Sequence, residues 1–357
     1  MKRILYYISG HGFGHAVRSA QVVRELFQRG VQCEILSSAP RYIFDCNLRD
    51  VPFRYHYLES DIGVRQRGSL ELDLQATIQG WSECLAGEKD WMEAQLRLAR
   101  DIKPEAIAGD ITPFAFPLAR RAGLPSFLLA SFTWDWILDF YKDDAAAFGE
   151  ISARLRERYL LADQLIYTPL SFGLPPVKKM RPVPLIGKRS AFPREELRGR
   201  LKLDSRPAFL ISFGGFGLRE MEKLGLDGMK DFQFIFLSGK DKRDGNLVFF
   251  SDRSTAHEDL VAASDAVITK PGYGISAEAI LNATPMIYTS RGKFAEYGPL
   301  VEDLKRYIPA SYISHEELFN GGLKPYLERP PRFSGGLLTD PGTGAGEAAE
   351  IIVGGIV

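Results

Sequence analysis

The chain has 357 residues, enough for about two domains and for cores that need no disulfide or metal staple. Its 45 Lys+Arg and 45 Asp+Glu balance to a formal net charge of +0, which argues against a strongly electrostatic binder of nucleic acid. Apolar residues make up 45% and charged residues 25%, a globular balance that argues against wholesale disorder. Cys33, Cys46 and Cys84 form no CxxC and cannot all pair, so buried, reduced thiols in a cytoplasmic protein are expected. The opening KRILYYI runs into glycine too soon for a signal peptide, and no window approaches about 18 apolar residues, so no membrane span is expected.

Residues 3–8 read as a buried strand. A Gly-rich turn follows, then a helix from about Gly14 to Gln28, with Gly30 at its C-terminal stop. Residues 31–36 are the next strand, completing the β-loop-α-β unit of a parallel sheet. A long helical stretch covers about 70–100, and strands at 105–110 and 125–130 flank a helix at 113–123. Helical spacing at 143–161 and a strand at 164–168 close the first half. Residues 169–193 hold six prolines, among them Pro175, Pro176 and Pro193, and no periodicity, which is a linker composition.

The alternation then restarts. A strand at 208–213 ends in a second Gly-rich turn (214–217), and strands follow at 232–237, 247–250, 265–269 and 285–289. Helices are expected at 257–264, 274–281, near 295–306 and 315–328, and in the tail at 344–353. The expected fold is α/β: two Rossmann-like domains with parallel sheets facing across a cleft, at 1–168 and 207–340, joined by a linker at 169–206 and closed by a C-terminal helix within 341–357. Ligands of such sheets bind beyond the carboxyl ends of the strands.

The first glycine loop is Ser9-Gly10-His11-Gly12-Phe13-Gly14-His15. Its G-x-G-x-G spacing is not the dinucleotide fingerprint, and the next strand ends without the acidic residue that grips a ribose. No Walker A motif is present. His15 sits at a helix N-terminus, where the positive dipole end favours the neutral imidazole that a general base needs. A tight turn with capping histidines, His11 included, suits the same residues. Asp110 ends a strand on the same edge and could orient His15 or cap the helix at 113–122. Trp134, Asp135 and Trp136 share one loop, either as an acceptor platform or as core. Arg18, one turn into the first helix, suits an acceptor phosphate or the surface.

In the second half, Gly214 and Gly215 belong to the second Gly-rich turn. Lys270, Gly272, Tyr273 and Gly274 lie between a strand and a helix. Backbone N–H groups around Gly274, Ile275 and Ser276 suit a diphosphate, with the Ser276 hydroxyl as a further donor. Glu278 follows one turn into the helix, where a carboxylate can accept both hydroxyls of a ribose or merely favour the helix dipole. No acidic pair forms a metal clamp.

This second half resembles the donor half of GT-B nucleotide-sugar glycosyltransferases, including the enzyme that adds GlcNAc to the peptidoglycan lipid intermediate, and the first loop resembles their Gly-Gly-x-Gly-Gly-His loop. The blocks YYISGHGFGHAVRSAQVVREL (6–26), DITPFAFPLARRAGLPSF (110–127), SFTWDW (131–136), TKPGYGISAEAI (269–280) and KPYLERP (324–330) resemble the glycosyltransferase-like N-terminal half of plant L-arabinokinases and its stand-alone bacterial relatives. The resemblance implies a transferase; with no acidic clamp and helix N–H groups to hold the diphosphate, no metal and no cofactor are expected. Its co-substrate would be a nucleotide sugar, UDP-linked, and its acceptor an unidentified small molecule or glycan. It implies His15 as base with Asp110 behind it, and an acceptor side that includes Gly12, Phe13 and Gly14. One departure stands out: Glu296-Tyr297-Gly298-Pro299 replaces an expected Glu-Glu-Pro run that would face the donor sugar. Two other readings remain open. One is an epimerase or hydrolase of the same fold using Glu296; the other is a nucleotide-sugar-binding sensor without catalysis.

Overall fold

The computed structural model describes residues 1–67, 71–213, 224–333 and 344–356. The chain divides into two compact units. The first is Met1–Ile186 with Phe294–Glu296 and Gly342–Val357; the second is Gly187–Lys293 with Tyr297–Pro341. The expected linker at 169–206 therefore divides between the units.

The first unit is built on seven parallel strands: β1 (Lys2–Ile8), β2 (Val31–Ser37), β3 (Arg54–Tyr57), β4 (Ala106–Asp110), β5 (Ser126–Ala130), β6 (Gln164–Tyr167) and β7 (Met180–Pro182), in the order β3-β2-β1-β4-β5-β6-β7. The continuous apolar run of β1 suits a central strand covered on both faces. Ile4, Tyr6 and Ile8 enter one core with helix α1 (Phe13–Gln28), while Leu5 and Tyr7 enter the core on the other face. That alternation is the period of two of a strand. The long helical stretch is two helices, α2 (Leu74–Ala86) and α3 (Glu88–Ile102), separated at Gly87. Asp73 caps the first by accepting from the Ala76 N–H at 3.0 Å. Helices α4 (Ala115–Ala122), α5 (Trp134–Asp139) and α6 (Ala146–Tyr159) follow.

The second unit carries β8 (Ala208–Ser212), β9 (Gln233–Ser238), β10 (Lys242–Asp244), β11 (Leu247–Ser251), β12 (Ala266–Thr269), β13 (Met286–Tyr288) and β14 (Ala310–Tyr312), ordered β10-β11-β9-β8-β12-β13-β14. Among the described strands of this sheet, the β10–β11 pair is antiparallel and the others are parallel. Phe209 and Ile211 face one core, Ala208 and Leu210 the other. Helices α7 (Arg194–Arg200), α8 (His257–Ala263), α9 (Tyr273–Leu281) and α10 (Tyr297–Leu304) belong to this unit, whereas the C-terminal helix α11 (Gly344–Gly354) returns to the first and buries Ala348, Ala349 and Ile352 in the core of α1.

Strands at 54–57, 180–182, 242–244 and 310–312 and helices at 41–47 and 194–200 go beyond the sequence reading. They are short or lie at sheet edges, where polar residues erase the alternation. Of the three thiols, Cys33 alone is buried; Cys46 and Cys84 are half-buried. Among the described residues no helix is long and apolar enough to cross a membrane.

Candidate functional site

Strand β1 delivers the chain to the first glycine loop at the carboxyl edge of its sheet. A Cβ at Gly10 would stand 2.0 Å from Ser38 Oγ and 3.0 Å from the Ala39 backbone nitrogen, so a larger residue would have to turn Ser38 aside and crowd the backbone. Gly12 adopts φ 78°, the left-handed region, and starts α1 as its N-cap with no side-chain cap. Gly12, Phe13 and Gly14 are exposed at this helix start, and His15 follows on the helix's inner face.

Asp110, at the end of β4 beside β1, is fully buried and gathers four side-chain contacts. His15 Nδ1 lies 2.9 Å from Oδ1. Arg18 donates from Nη2 to Oδ1 at 2.5 Å and from Nε to Oδ2 at 3.1 Å, and Ser19 Oγ donates to Oδ2 at 2.6 Å. Burial alone would raise the carboxyl, but Arg18 and His15 together hold it down at about 2. An ionised Asp110 only accepts, so His15 Nδ1 carries the proton and Nε2 carries the lone pair. Nε2 makes no hydrogen bond to any described residue. The edge of Phe132 flanks the ring at 5.6 Å. The chain leaves β4 through Ile111 at φ 55°, a conformation a β-branched residue rarely takes, and Tyr159 Oη donates to its carbonyl at 2.5 Å.

Several expectations change here. The helix after Asp110 begins only at Ala115 with no side-chain cap, so Asp110 is not its N-cap. Arg18 is 2% exposed; with Nη1 on Ser131 Oγ at 2.9 Å as well, it faces inward and is neither a surface residue nor an acceptor grip. Trp134 is fully buried among His11, Trp81 and Phe132, because the Trp134–Asp139 segment is a helix packed into the core rather than a loop. Asp135 is also buried, with Arg156 Nε donating to it at 3.1 Å. Trp136 is half-buried against Phe172 and the Gly173 backbone.

Sequence reasoning missed Asp61. It is 3% exposed, accepts from Ser9 Oγ at 2.9 Å and lines a cavity of about 470 Å³ beneath the glycine loop. Burial pushes it up to about 7. It lies in an aperiodic stretch, so nothing local marks it.

In the second unit, β12 runs through Lys270, Pro271 and Gly272 into α9, whose uncapped N-terminus starts at Tyr273. Gly274 and Ile275 are half-buried in its first turn, while Ser276 is fully buried and its Oγ lacks a hydrogen-bond partner among the described residues. Arg291, another residue missed, donates to the Pro271 carbonyl at 3.3 Å and sets its guanidinium beside Gly272, adding positive charge at the helix start. Glu278, 6% exposed, has an unforeseen partner: His257 Nδ1 stands 2.5 Å from Oε2, and His257 Nε2 stands 3.1 Å from Ser212 Oγ. Burial works against charge on His257, yet the Glu278 carboxylate outweighs it and raises its affinity for a proton. Glu296 is buried, and the segment that carries it is assigned to the first unit. Gly214 and Gly215 lie outside the described residues.

No family model matches the chain. It is 26% identical over 347 residues to L-arabinokinase of Arabidopsis thaliana, a match that covers 93% of this chain and 33% of that protein, so the chain spans about a third of this relative's length. Among solved structures it is similar to the calicheamicin glycosyltransferase CalG4, with TM-score 0.63 and 15% identity over 99% of this chain and 94% of that one. A UDP-glucosyltransferase from Polygonum tinctorium superposes with TM-score 0.62 and 13% identity over 99% and 92%. MurG of Acinetobacter baumannii does so with TM-score 0.56 and 17% identity over 100% and 99%. The chain therefore has the GT-B fold, and its sequence is similar to L-arabinokinase over almost its whole length.

Proposed function

We propose that the chain is a glycosyltransferase that moves a sugar from a UDP-linked donor to an acceptor hydroxyl. The observation that carries the proposal is the His15–Asp110 pair: a buried, ionised carboxylate fixes Nδ1–H and leaves Nε2 without a hydrogen bond to any described residue at the start of α1. Nε2 takes the proton of the acceptor hydroxyl as that oxygen attacks the anomeric carbon. The nucleoside diphosphate leaves with the electron pair of the broken glycosidic bond, and Asp110 steadies the imidazolium. Direct displacement inverts the anomeric carbon. The leaving diphosphate rests on the N–H groups that open α9, with Arg291 beside them, and Glu278 takes the ribose. The protein is read as metal-independent, so turnover persists in EDTA; loss in EDTA with recovery on Mg²⁺ or Mn²⁺ contradicts this.

The similar proteins named as glycosyltransferases, one of them a UDP-glucosyltransferase, support the reaction class. Calorimetric titration with UDP and a set of UDP-sugars, followed by mass spectrometry of products, tests it. The expected result is UDP affinity in the micromolar range and a glycosylated product. Tight UDP binding with no turnover on any donor would leave a sensor instead.

A further inference from the structure

A second cavity lies within the first unit at the amino edge of its sheet: Gln164 and Met180 open β6 and β7 there, whereas Asp110 closes β4 at the other edge. It encloses about 540 Å³, within the roughly 300–1,000 Å³ of small-molecule sites. Arg181 of β7 is in register with Ile166, which shares a core with Ile352 of α11. Arg181 and, two residues back, Lys179 therefore stand on the face that α11 covers. Glu347, Glu350 and Ile351 of α11 form the facing wall, and Gln164 completes the lining named here. A Cβ at Gly344 would stand 2.1 Å from the Pro184 carbonyl oxygen, and one at Gly355 would stand 2.5 Å from Phe127 Cζ, so the helix lies hard against the sheet at both ends. Four charges thus line one cavity, two of each sign, yet strand and helix do not neutralise each other. The Lys179 and Arg181 side chains make no hydrogen bond or ion pair to a described residue. Glu350 accepts from Arg29 Nη2 at 3.2 Å through Oε1, and its Oε2 has no hydrogen bond to a described residue. Basic residues on an edge strand also discourage pairing with another chain, but that role needs neither a cavity nor facing carboxylates.

We propose that this cavity binds a small zwitterion of the amino-acid type, its carboxylate on Arg181 and Lys179 and its ammonium on Glu350. The charge balance of the walls selects that class. A multiply charged anion would face Glu347 and Glu350, and a polyamine would face Lys179 and Arg181. An apolar molecule would find one aliphatic side chain, Ile351, among the described lining residues. Arg181 can take a carboxylate with two parallel hydrogen bonds, while Lys179 adds a point charge and the Gln164 amide a neutral donor. The claim is independent of the transfer reading, because no residue of this cavity belongs to the site proposed for it.

The test is saturation-transfer NMR and calorimetry on the whole protein at neutral pH and low salt, since salt screens charges as exposed as these. The probes are ω-amino acids of increasing chain length, from glycine upward, with acetate, inorganic phosphate and methylammonium as controls. The zwitterions are expected to bind best, with an optimum chain length set by the separation of the two walls. Arg181→Gln should weaken zwitterion and acetate alike, severalfold, as befits exposed charge pairs. Glu350→Gln, whose amide oxygen can still accept from Arg29, should weaken the zwitterion severalfold and leave acetate unchanged. Both residues are exposed, so both variants should fold and melt as the wild type does. Acetate or phosphate binding as tightly as any zwitterion, zwitterion binding indifferent to either variant, or no binding by any probe would overturn the proposal. Aggregation of Arg181→Gln, with no probe bound by the wild type, would reduce the basic wall to a guard of the open sheet edge.

Discussion

His15 and His257 each turn Nδ1 toward a buried carboxylate, Asp110 at 2.9 Å and Glu278 at 2.5 Å, and each stands at the start of a helix. The difference lies at the other nitrogen. Nε2 of His15 makes no hydrogen bond to a described residue, whereas Nε2 of His257 meets Ser212 Oγ at 3.1 Å. A histidine engaged at both nitrogens holds neighbouring groups in place; one engaged only at Nδ1 can move a proton. The carboxylates differ as well. Asp110 answers to Arg18, Ser19 and His15, while Glu278 answers to His257 through Oε2. Under the proposed function, the first pair would carry the chemistry and the second the binding.

The largest effect should come from removing the charge of the first pair. Asp110→Asn strips Arg18 of its buried counter-ion and lets an amide N–H face His15 Nδ1, which favours the other tautomer. We expect a stability loss of about 3–5 kcal/mol in denaturant unfolding and a turnover loss of about 10²–10⁴. A stable variant with normal turnover would dissolve the contrast between the pairs.

Titration sharpens the same point with two carboxylates of one unit. Asp110, held near 2 against an ordinary value of 3.8, contributes stability above about pH 4 that is lost as the pH falls toward 2. Asp61, pushed up to about 7, keeps its proton in the folded state after the unfolded chain has lost it. Stability attributable to Asp61 therefore falls as pH rises from about 4 to 7, by about 4 kcal/mol at about 1.4 kcal/mol per unit. Melting curves should show Asp61→Asn gaining on the wild type across that window and then running level. A gap independent of pH would mean that Asp61 is not held protonated.

Smaller effects belong to the second pair. Glu278→Ala should weaken UDP by about 1.5–3 kcal/mol, the weight of the charge-assisted ribose contact proposed for it. His257→Ala should cost only about 1 kcal/mol of UDP affinity, because it loosens Glu278 without removing it. Equal losses in the two variants, measured by calorimetry, would make His257 a direct ligand rather than a positioning residue.

The alternation of strand and helix was legible because the central strands are buried on both faces and read as unbroken apolar runs: RILYYI, AFLISF and DAVIT become the middle of their sheets. Arg54–Tyr57 was not legible, since an edge strand carries polar residues on its open side. His15 and Asp110 could be read because a glycine loop and a strand end mark them. The partners could not. Arg18 lies 92 residues from Asp110 and Asp61 lies 52 from Ser9, so only the folded chain shows that the arginine faces inward and that the aspartate lines a cavity. Trp134 misled for a related reason: a tryptophan pair after a strand looks the same whether its rings face solvent or core.

The central claim is that His15 Nε2 takes the acceptor proton. The direct measurement is single-turnover transfer by His15→Gln beside calorimetric UDP affinity for the same protein. Gln keeps a hydrogen-bonding side chain of similar reach but cannot take the proton, so turnover should fall by about 10²–10⁴. UDP affinity should stay unchanged, because the proposed nucleotide contacts lie in the second unit. A Gln variant with near wild-type turnover would contradict the account.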